Sequence, residues 1–277
     1  MRGRRILSVQ DISCVGQCSL TAALPILSVC GLETAVLPTA VLSTHTGGFT
    51  GYTFRDLGDD IPAIRAHWER EGIRFSAACT GYLSGARQVE DVLAVMDTLL
   101  LPGGLRIVDP AMADSGRLYA GLSEALVPAM ARLAFSADVI LPNLTEAAIL
   151  TGLPYRPVCD AGYARMLTDA LLDEGAKTVV LTGVRRDDQT TGVAVRTRDK
   201  LEIYTHPRVE RVCHGTGDVF AAAFTGAYLR GQDAFSAARL AADFTLESIR
   251  RTLDDPEHWY GVDFEQALPW LMRKLEE

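Results

Sequence analysis

Short β-rich apolar runs alternate along this chain with longer stretches of helical period. Ile6–Gln10 reads as a strand, Leu20–Cys30 as a helix closed by Gly31, and Thr34–Leu37 as a second strand. A helix over Ile64–Glu71, a strand over Phe75–Thr80 and a helix over Val89–Leu100 follow. Arg106–Val108 and Val139–Leu141 read as strands on either side of a helix at Glu124–Leu133, and a helix at Ala164–Asp173 leads to a strand at Thr178–Leu181. Alternation of this kind predicts a mostly parallel sheet covered on both faces, a three-layer α/β/α fold. Within Thr191–His206 the rhythm changes. Two alternating runs, Val193–Arg196 and Leu201–Tyr204, flank Thr-Arg-Asp-Lys and predict a hairpin appended at the sheet edge. Helices at Val219–Arg230, Phe235–Thr252 and Phe264–Leu275 complete the pattern. With no repeat, low-complexity tract or linker, residues 1–277 are expected to form one domain.

Composition narrows the partners. A net charge of −8, from 35 acids against 27 bases, argues against nucleic acid or an anionic membrane. An anionic substrate would then need a local positive field, from helix starts or a bound metal. The six cysteines show no Cys-x-x-Cys pair and no zinc spacing, and the basic start Met1–Arg5 leads into a segment too polar for a secretion signal. Reduced thiols in a cytoplasmic protein are expected. The most apolar stretch, Ala22–Leu42, is interrupted by Pro25, Gly31, Glu33 and Pro38, so it reads as helix, turn and strand, not as a membrane span.

The stretch Val212–Phe224 is the most informative. Gly215, Thr216 and Gly217 form a turn directly before an apolar helix, and Asp218 lies in that helix's first turn. Glycines let backbone approach a ligand closely, and the free N–H groups of a helix start suit a phosphate. An acid beside such a cradle can take the proton of an attacking hydroxyl, or can simply complement the helix dipole.

Open parallel sheets bind ligands at the carboxyl ends of their strands, and three strand ends carry polar motifs. Asp109-Pro110 with Asp114 is either turn chemistry or a metal-facing acid with a second near phosphates. Pro142-Asn143-Leu-Thr-Glu146 is either a capping box or a source of an oxygen donor to magnesium. Thr182-Gly183 is either a plain turn or a hydroxyl offered to a phosphate. The succession of these motifs, each after a strand or opening a helix, is what favours the functional readings together.

In that order the motifs resemble those of the ribokinase-like small-molecule kinases, and within them the pyridoxal (vitamin B6) kinases. Ile6–Gln10, Ser43-Thr-His-Thr-Gly-Gly48 and Thr80-Gly-Tyr-Leu83 carry the likeness on the substrate side, so it spans nearly the whole chain. The resemblance implies ATP-dependent phosphorylation of the 5′-hydroxymethyl of pyridoxal, pyridoxine or pyridoxamine. It implies Asp218 as general base, an anion hole at Gly215, Thr216 and Gly217, and nucleotide contacts from Asp114, Asn143 and Thr182. It further implies Mg²⁺ organised through Asp109 and Glu146, a vitamer pocket lined by Thr46 and Tyr82, a K⁺ or Na⁺ activator and a homodimer without a large lid. Two positions depart from the family pattern. Asp11 stands where many members have Ser; a carboxylate there can pair with the ammonium of pyridoxamine or a protonated ring nitrogen, or be a solvated or capped loop acid. Ala113 stands where Gly is usual, which puts the placement of Asp114 in question. His45 is expected to be a local hydrogen-bonding residue and Cys213 a bystander. Two rivals share the chain's features: a hydroxymethylpyrimidine kinase, which tends to carry Cys in place of Asp218, and a non-catalytic B6-binding sensor, which has no need of that acid.

Overall fold

The alternating pattern is realised, in a computed structural model describing residues 5–185, 187–211, 213–253, 255 and 257–277, as a sheet between two helical layers. The basic start at Met1–Arg4 and the first residue of the glycine-turn stretch, Val212, lie outside the described residues. The strands are β1 (Ile6–Ser13), β2 (Thr34–Leu42), β3 (Phe54–Asp56), β4 (Phe75–Thr80), β5 (Leu100–Val108), β6 (Ala113–Asp114), β7 (Arg117–Leu118), β8 (Val139–Ile140), β9 (Val179–Val184), β10 (Thr190–Arg196) and β11 (Leu201–Pro207). The helices are α1 (Leu20–Val29), α2 (Ile61–Arg70), α3 (Ala86–Leu99), α4 (Leu126–Phe135), α5 (Leu144–Thr151), α6 (Ala161–Asp173), α7 (Thr216–Leu229), α8 (Ala234–Thr252) and α9 (Leu268–Glu276).

Among the described residues the main sheet runs β11-β10-β9-β8-β5-β4-β1-β2-β3. From β9 to β2 the neighbours are parallel, whereas β10 and β11 form the antiparallel hairpin at one edge and β3 closes the other. Strand alternation splits the core in two. Leu7 and Val9 of β1 face helices α2 to α6, while Ile6 faces α1, α7, α8 and α9. The parallel strands end on one rim of the sheet, and their loops and the start of α7 meet there.

Strands β3, β6 and β7 are too short to show in the pattern, β5 begins at Leu100 instead of Arg106, and three further elements differ for identifiable reasons. Strand β2 continues through Pro38 to Leu42, beyond the expected Leu37. Pro38 pairs opposite Gln10 without an N–H to donate, and the register shifts between Gln10 and Ile12, so a bulge absorbs the missing bond. Helix α5 is too short to show periodicity and stops at Gly152, whose φ of 67° is left-handed. The expected helix Phe264–Leu275 opens as a 3-10 turn, Glu265–Ala267, and becomes α-helical only at Leu268, with Pro269 in its first turn.

Helices α1 and α7 approach closely because Gly226 has no side chain: a Cβ there would lie 2.2 Å from the Cys30 sulfur. Gly226→Ala should therefore destabilise the protein by about 1–3 kcal/mol, the usual cost of overpacking, despite the better helix propensity of alanine. The urea midpoint should fall with an unchanged slope. A rise in that midpoint would mean that the two helices are not in close contact.

Candidate functional site

Along the rim formed by the strand ends lies a cavity of about 760 Å³. The structure brings every site residue expected from the sequence to its lining. Gly215, Thr216, Gly217 and Asp218 form one wall, Asp109, Asp114, Asn143, Glu146 and Thr182 a second, and Asp11, Thr46 and Tyr82 a third.

The first wall is built by a glycine that nothing else could replace. Gly215 has φ 76°, and a Cβ on it would sit 2.2 Å from the Gln17 carbonyl oxygen. It caps α7 without any side-chain hydrogen bond, so the N–H groups of the first turn point into the cavity without a protein acceptor on the cap residue. A Cβ on Gly217 would meet nothing within 4 Å, which leaves room for a ligand beside the backbone. Asp218 accepts a hydrogen bond from the Ser19 N–H, but burial and the nearby Asp11 carboxylate push its pKa up to about 7.

On the second wall the capping-box reading of Asn143 and Glu146 is realised in full. Asn143 Oδ1 accepts from the N–H of Thr145 at 2.8 Å and of Glu146 at 3.0 Å, and Glu146 Oε2 accepts from the Asn143 N–H at 2.9 Å. The other oxygen, Oε1, accepts from the N–H of Met112 at 3.1 Å and Ala113 at 3.4 Å, and Asn143 Nδ2 donates to the Ala113 carbonyl at 2.7 Å. The pair thus clamps the loop that follows Asp109. Burial drives the Glu146 pKa up to about 8 against these hydrogen bonds, and Asp109 is held well above the usual carboxylate range by burial, Glu146 and Asp218. Ala113 needs no left-handed backbone, because it lies in β6. The tight turn falls instead at Ser115 and Gly116, with φ 52° and 81°, and leaves Asp114 exposed at the cavity edge. Thr182 reaches the cavity from β9, held by its N–H to the Pro142 carbonyl at 3.0 Å.

The third wall is formed by the loop after β2 and the turn after β4. His45 is buried, its Nδ1 accepts the Gly47 N–H at 3.0 Å, and its Nε2 lies 2.5 Å from the Tyr260 carbonyl. The second contact requires a hydrogen on Nε2, so the ring is neutral, and burial lowers its pKa further. It is a local tie, as expected, and not an acid–base group. Tyr82 is held through its carbonyl, which accepts from Thr39 Oγ1 at 3.1 Å, and burial with Asp11 nearby pushes its phenol up to about 12. Burial also raises the Cys213 thiol, so it is no thiolate.

Sequence reasoning missed Ser19 and Tyr119. Both come close to the carboxylates, Ser19 through hydrogen bonds and Tyr119 from across the second wall. A φ of 53° on a non-glycine residue, visible only in the folded chain, is what singles out Ser19.

The carboxyl groups of the buried Glu146 and the half-buried Asp218 raise the pKa of the half-buried Asp109, and among the described residues no lysine or arginine forms an ion pair with any of them. That deficit suits a divalent cation. Both Glu146 oxygens already accept backbone N–H groups, and among the described residues no three His, Cys, Asp or Glu side chains converge as ligands. The donor set therefore fits a hydrated ion held through its waters, as magnesium prefers, and not direct ligation by Glu146. No helix among the described residues is long and apolar enough to cross a membrane.

The sequence and the fold have counterparts. The family model described as phosphomethylpyrimidine kinase matches residues 22–261. The chain is 32% identical over 271 residues to a pyridoxine/pyridoxal/pyridoxamine kinase of Bordetella bronchiseptica, covering 89% of each. It is 30% identical over 238 residues to a hydroxymethylpyrimidine/phosphomethylpyrimidine kinase of Bacillus subtilis, covering 82% of this chain and 81% of the relative. A phosphomethylpyrimidine-kinase-type protein of Bacteroides thetaiotaomicron, crystallised with pyridoxal, matches with a TM-score of 0.91 at 34% identity, over 97% of this chain and 95% of that one.

Proposed function

The chain belongs to the phosphomethylpyrimidine kinase family, and from that premise we propose that it transfers the γ-phosphoryl group of ATP to the 5′-hydroxymethyl of a vitamin B6 vitamer. The observation that carries this reading is the half-buried Asp218 in the first turn of α7, beside an open glycine-lined anion site and within the same cavity as Thr46 and Tyr82. Asp218, with a pKa near neutrality, takes the proton of the 5′-hydroxyl. The N–H groups at Gly215–Gly217 face the transferring phosphoryl oxygens, where fixed donors stabilise the charge that develops. Thr182 and Asp114 reach the nucleotide side, and Asn143 serves it by holding the loop around Asp109. Magnesium, when bound, neutralises phosphate charge, and Asp109 and Glu146 would hold its water shell. Tyr82 offers ring surface to the pyridine. The chain works as one domain, paired as a homodimer, with K⁺ or Na⁺ as activator.

A second reading, hydroxymethylpyrimidine phosphorylation, draws on the Bacillus subtilis relative. The test is ADP formation with pyridoxal, pyridoxine, pyridoxamine and hydroxymethylpyrimidine in parallel, with the phosphorylated product identified by mass spectrometry. Turnover of a B6 vitamer is expected. Turnover of the pyrimidine alone would reassign the ring, and tight vitamer binding without ADP would make the protein a sensor.

A further inference from the structure

Asp11 is 4% exposed yet lines the substrate wall of the cavity. This excludes a solvated loop acid. Its carboxylate receives the Ser13 hydroxyl at 3.0 Å and hydrogen-bonds with the Ser19 hydroxyl. The nearest imidazole, His45, is neutral by virtue of its two hydrogen bonds. Among the described residues no lysine or arginine pairs with Asp11. A buried carboxylate with only neutral donors is an unbalanced charge, costly to keep unless something cationic arrives.

Ser19 ties this group to the base. Its N–H donates to Asp218 while its hydroxyl reaches Asp11. It does so from φ 53° and ψ −133°, a conformation natural only to glycine, and one other non-glycine residue among those described, Ser115, has positive φ. Ser19 stands at the N-cap of α1, where a serine normally bonds the helix's own N–H groups, yet its side chain makes no such bond. The strain and the forgone cap are accounted for if the hydroxyl is needed elsewhere.

We propose that Asp11, held in register with Asp218 by Ser19, determines specificity by selecting substrates with a cationic aminomethyl group on the ring carbon next to the one bearing the hydroxymethyl, and so favours pyridoxamine over pyridoxine and pyridoxal. The reasoning rests on the kinase reading for the placement of the hydroxymethyl at Asp218. The neighbouring ring substituent then falls beside Asp218, where Asp11 lies. In pyridoxamine it is an ammonium, in pyridoxine an alcohol and in pyridoxal an aldehyde.

The test compares wild type with Asp11→Ser, Asp11→Asn and Ser19→Gly, measuring kcat/KM for each vitamer and, without ATP, the Kd of pyridoxamine and pyridoxine. The pyridoxamine-to-pyridoxine ratio should fall by roughly 10- to 100-fold in both Asp11 variants, the range for a hydrogen bond to a charged group. Ser19→Gly should melt at the same temperature or higher, because glycine accepts this backbone, while the ratio falls. An unchanged ratio in Asp11→Ser overturns the proposal. So does an equal loss for all vitamers, which would place the carboxylate on the ring nitrogen they share. A Ser19→Gly variant that melts lower and keeps the ratio would reduce Ser19 to a structural part. Selective binding of pyridoxamine through Asp11 without phosphate transfer would sink the kinase reading and leave the specificity intact.

Discussion

Asp218→Asn should lower kcat by about 10²- to 10⁴-fold, the usual contribution of a positioned general base. The amide keeps the size of the side chain and its acceptor for the Ser19 N–H, so melting temperature and nucleotide affinity should change little. The pH profile supplies a second readout. Burial and Asp11 raise the carboxyl to about 7, and only its deprotonated form accepts the hydroxyl proton. For wild type, kcat/KM should therefore climb as pH rises through about 7 and then level. In the variant, which has no proton to lose there, that rising limb should vanish. Retention of the limb, or a rate within about threefold of wild type, would assign the base to another group.

The two glycines of the α7 turn should separate stability from catalysis. Gly217→Ala places its methyl where the protein offers no atom within 4 Å, so the fold should be unaffected or slightly more stable. The methyl instead occupies space beside the phosphate-facing N–H groups, and kcat/KM should drop by about 10²-fold, comparable to loss of one oxyanion donor. Gly215→Ala should damage both properties, because its left-handed φ of 76° and the Gln17 carbonyl 2.2 Å from the new Cβ force the backbone to move. Thermal melting alongside steady-state kinetics distinguishes the two. A fully active Gly217→Ala enzyme would mean that phosphate does not approach this backbone.

Much of this site was legible in the chain because its parts obey local rules. Asn143 and Glu146 announce a helix start through their spacing alone, and that spacing also delivers Glu146 beside Asp109. Gly215 to Asp218 announce theirs through glycine and a first-turn acid. What stayed hidden depends on partners distant in sequence. Whether Asp11 is a solvated acid or a buried one is decided by Ser13, Ser19 and the neutral His45 folding over it, which no spacing encodes. Ser19 reads as an ordinary N-cap serine, and its left-handed backbone arises from the loop it closes. The pattern ends the second strand at Leu37 because proline ordinarily ends a strand, whereas here a bulge in β2 just after Pro38 tolerates it.

The ties on the substrate wall also set the order in which the site can come into being. His45 is fastened to Tyr260, 215 positions later, and Gln17, beside the Gly215 turn, donates to Glu265, 248 positions later. Such contacts close very large loops, and they form only after the chain between them has collapsed. During synthesis the β1 and β2 loops emerge early but have nothing to bind to until the final helices leave the ribosome. A nascent chain stalled before Tyr260 would carry the glycine turn and Asp218 yet lack the clasp on its substrate loop, so capacity to hold the small molecule is acquired among the last steps of maturation.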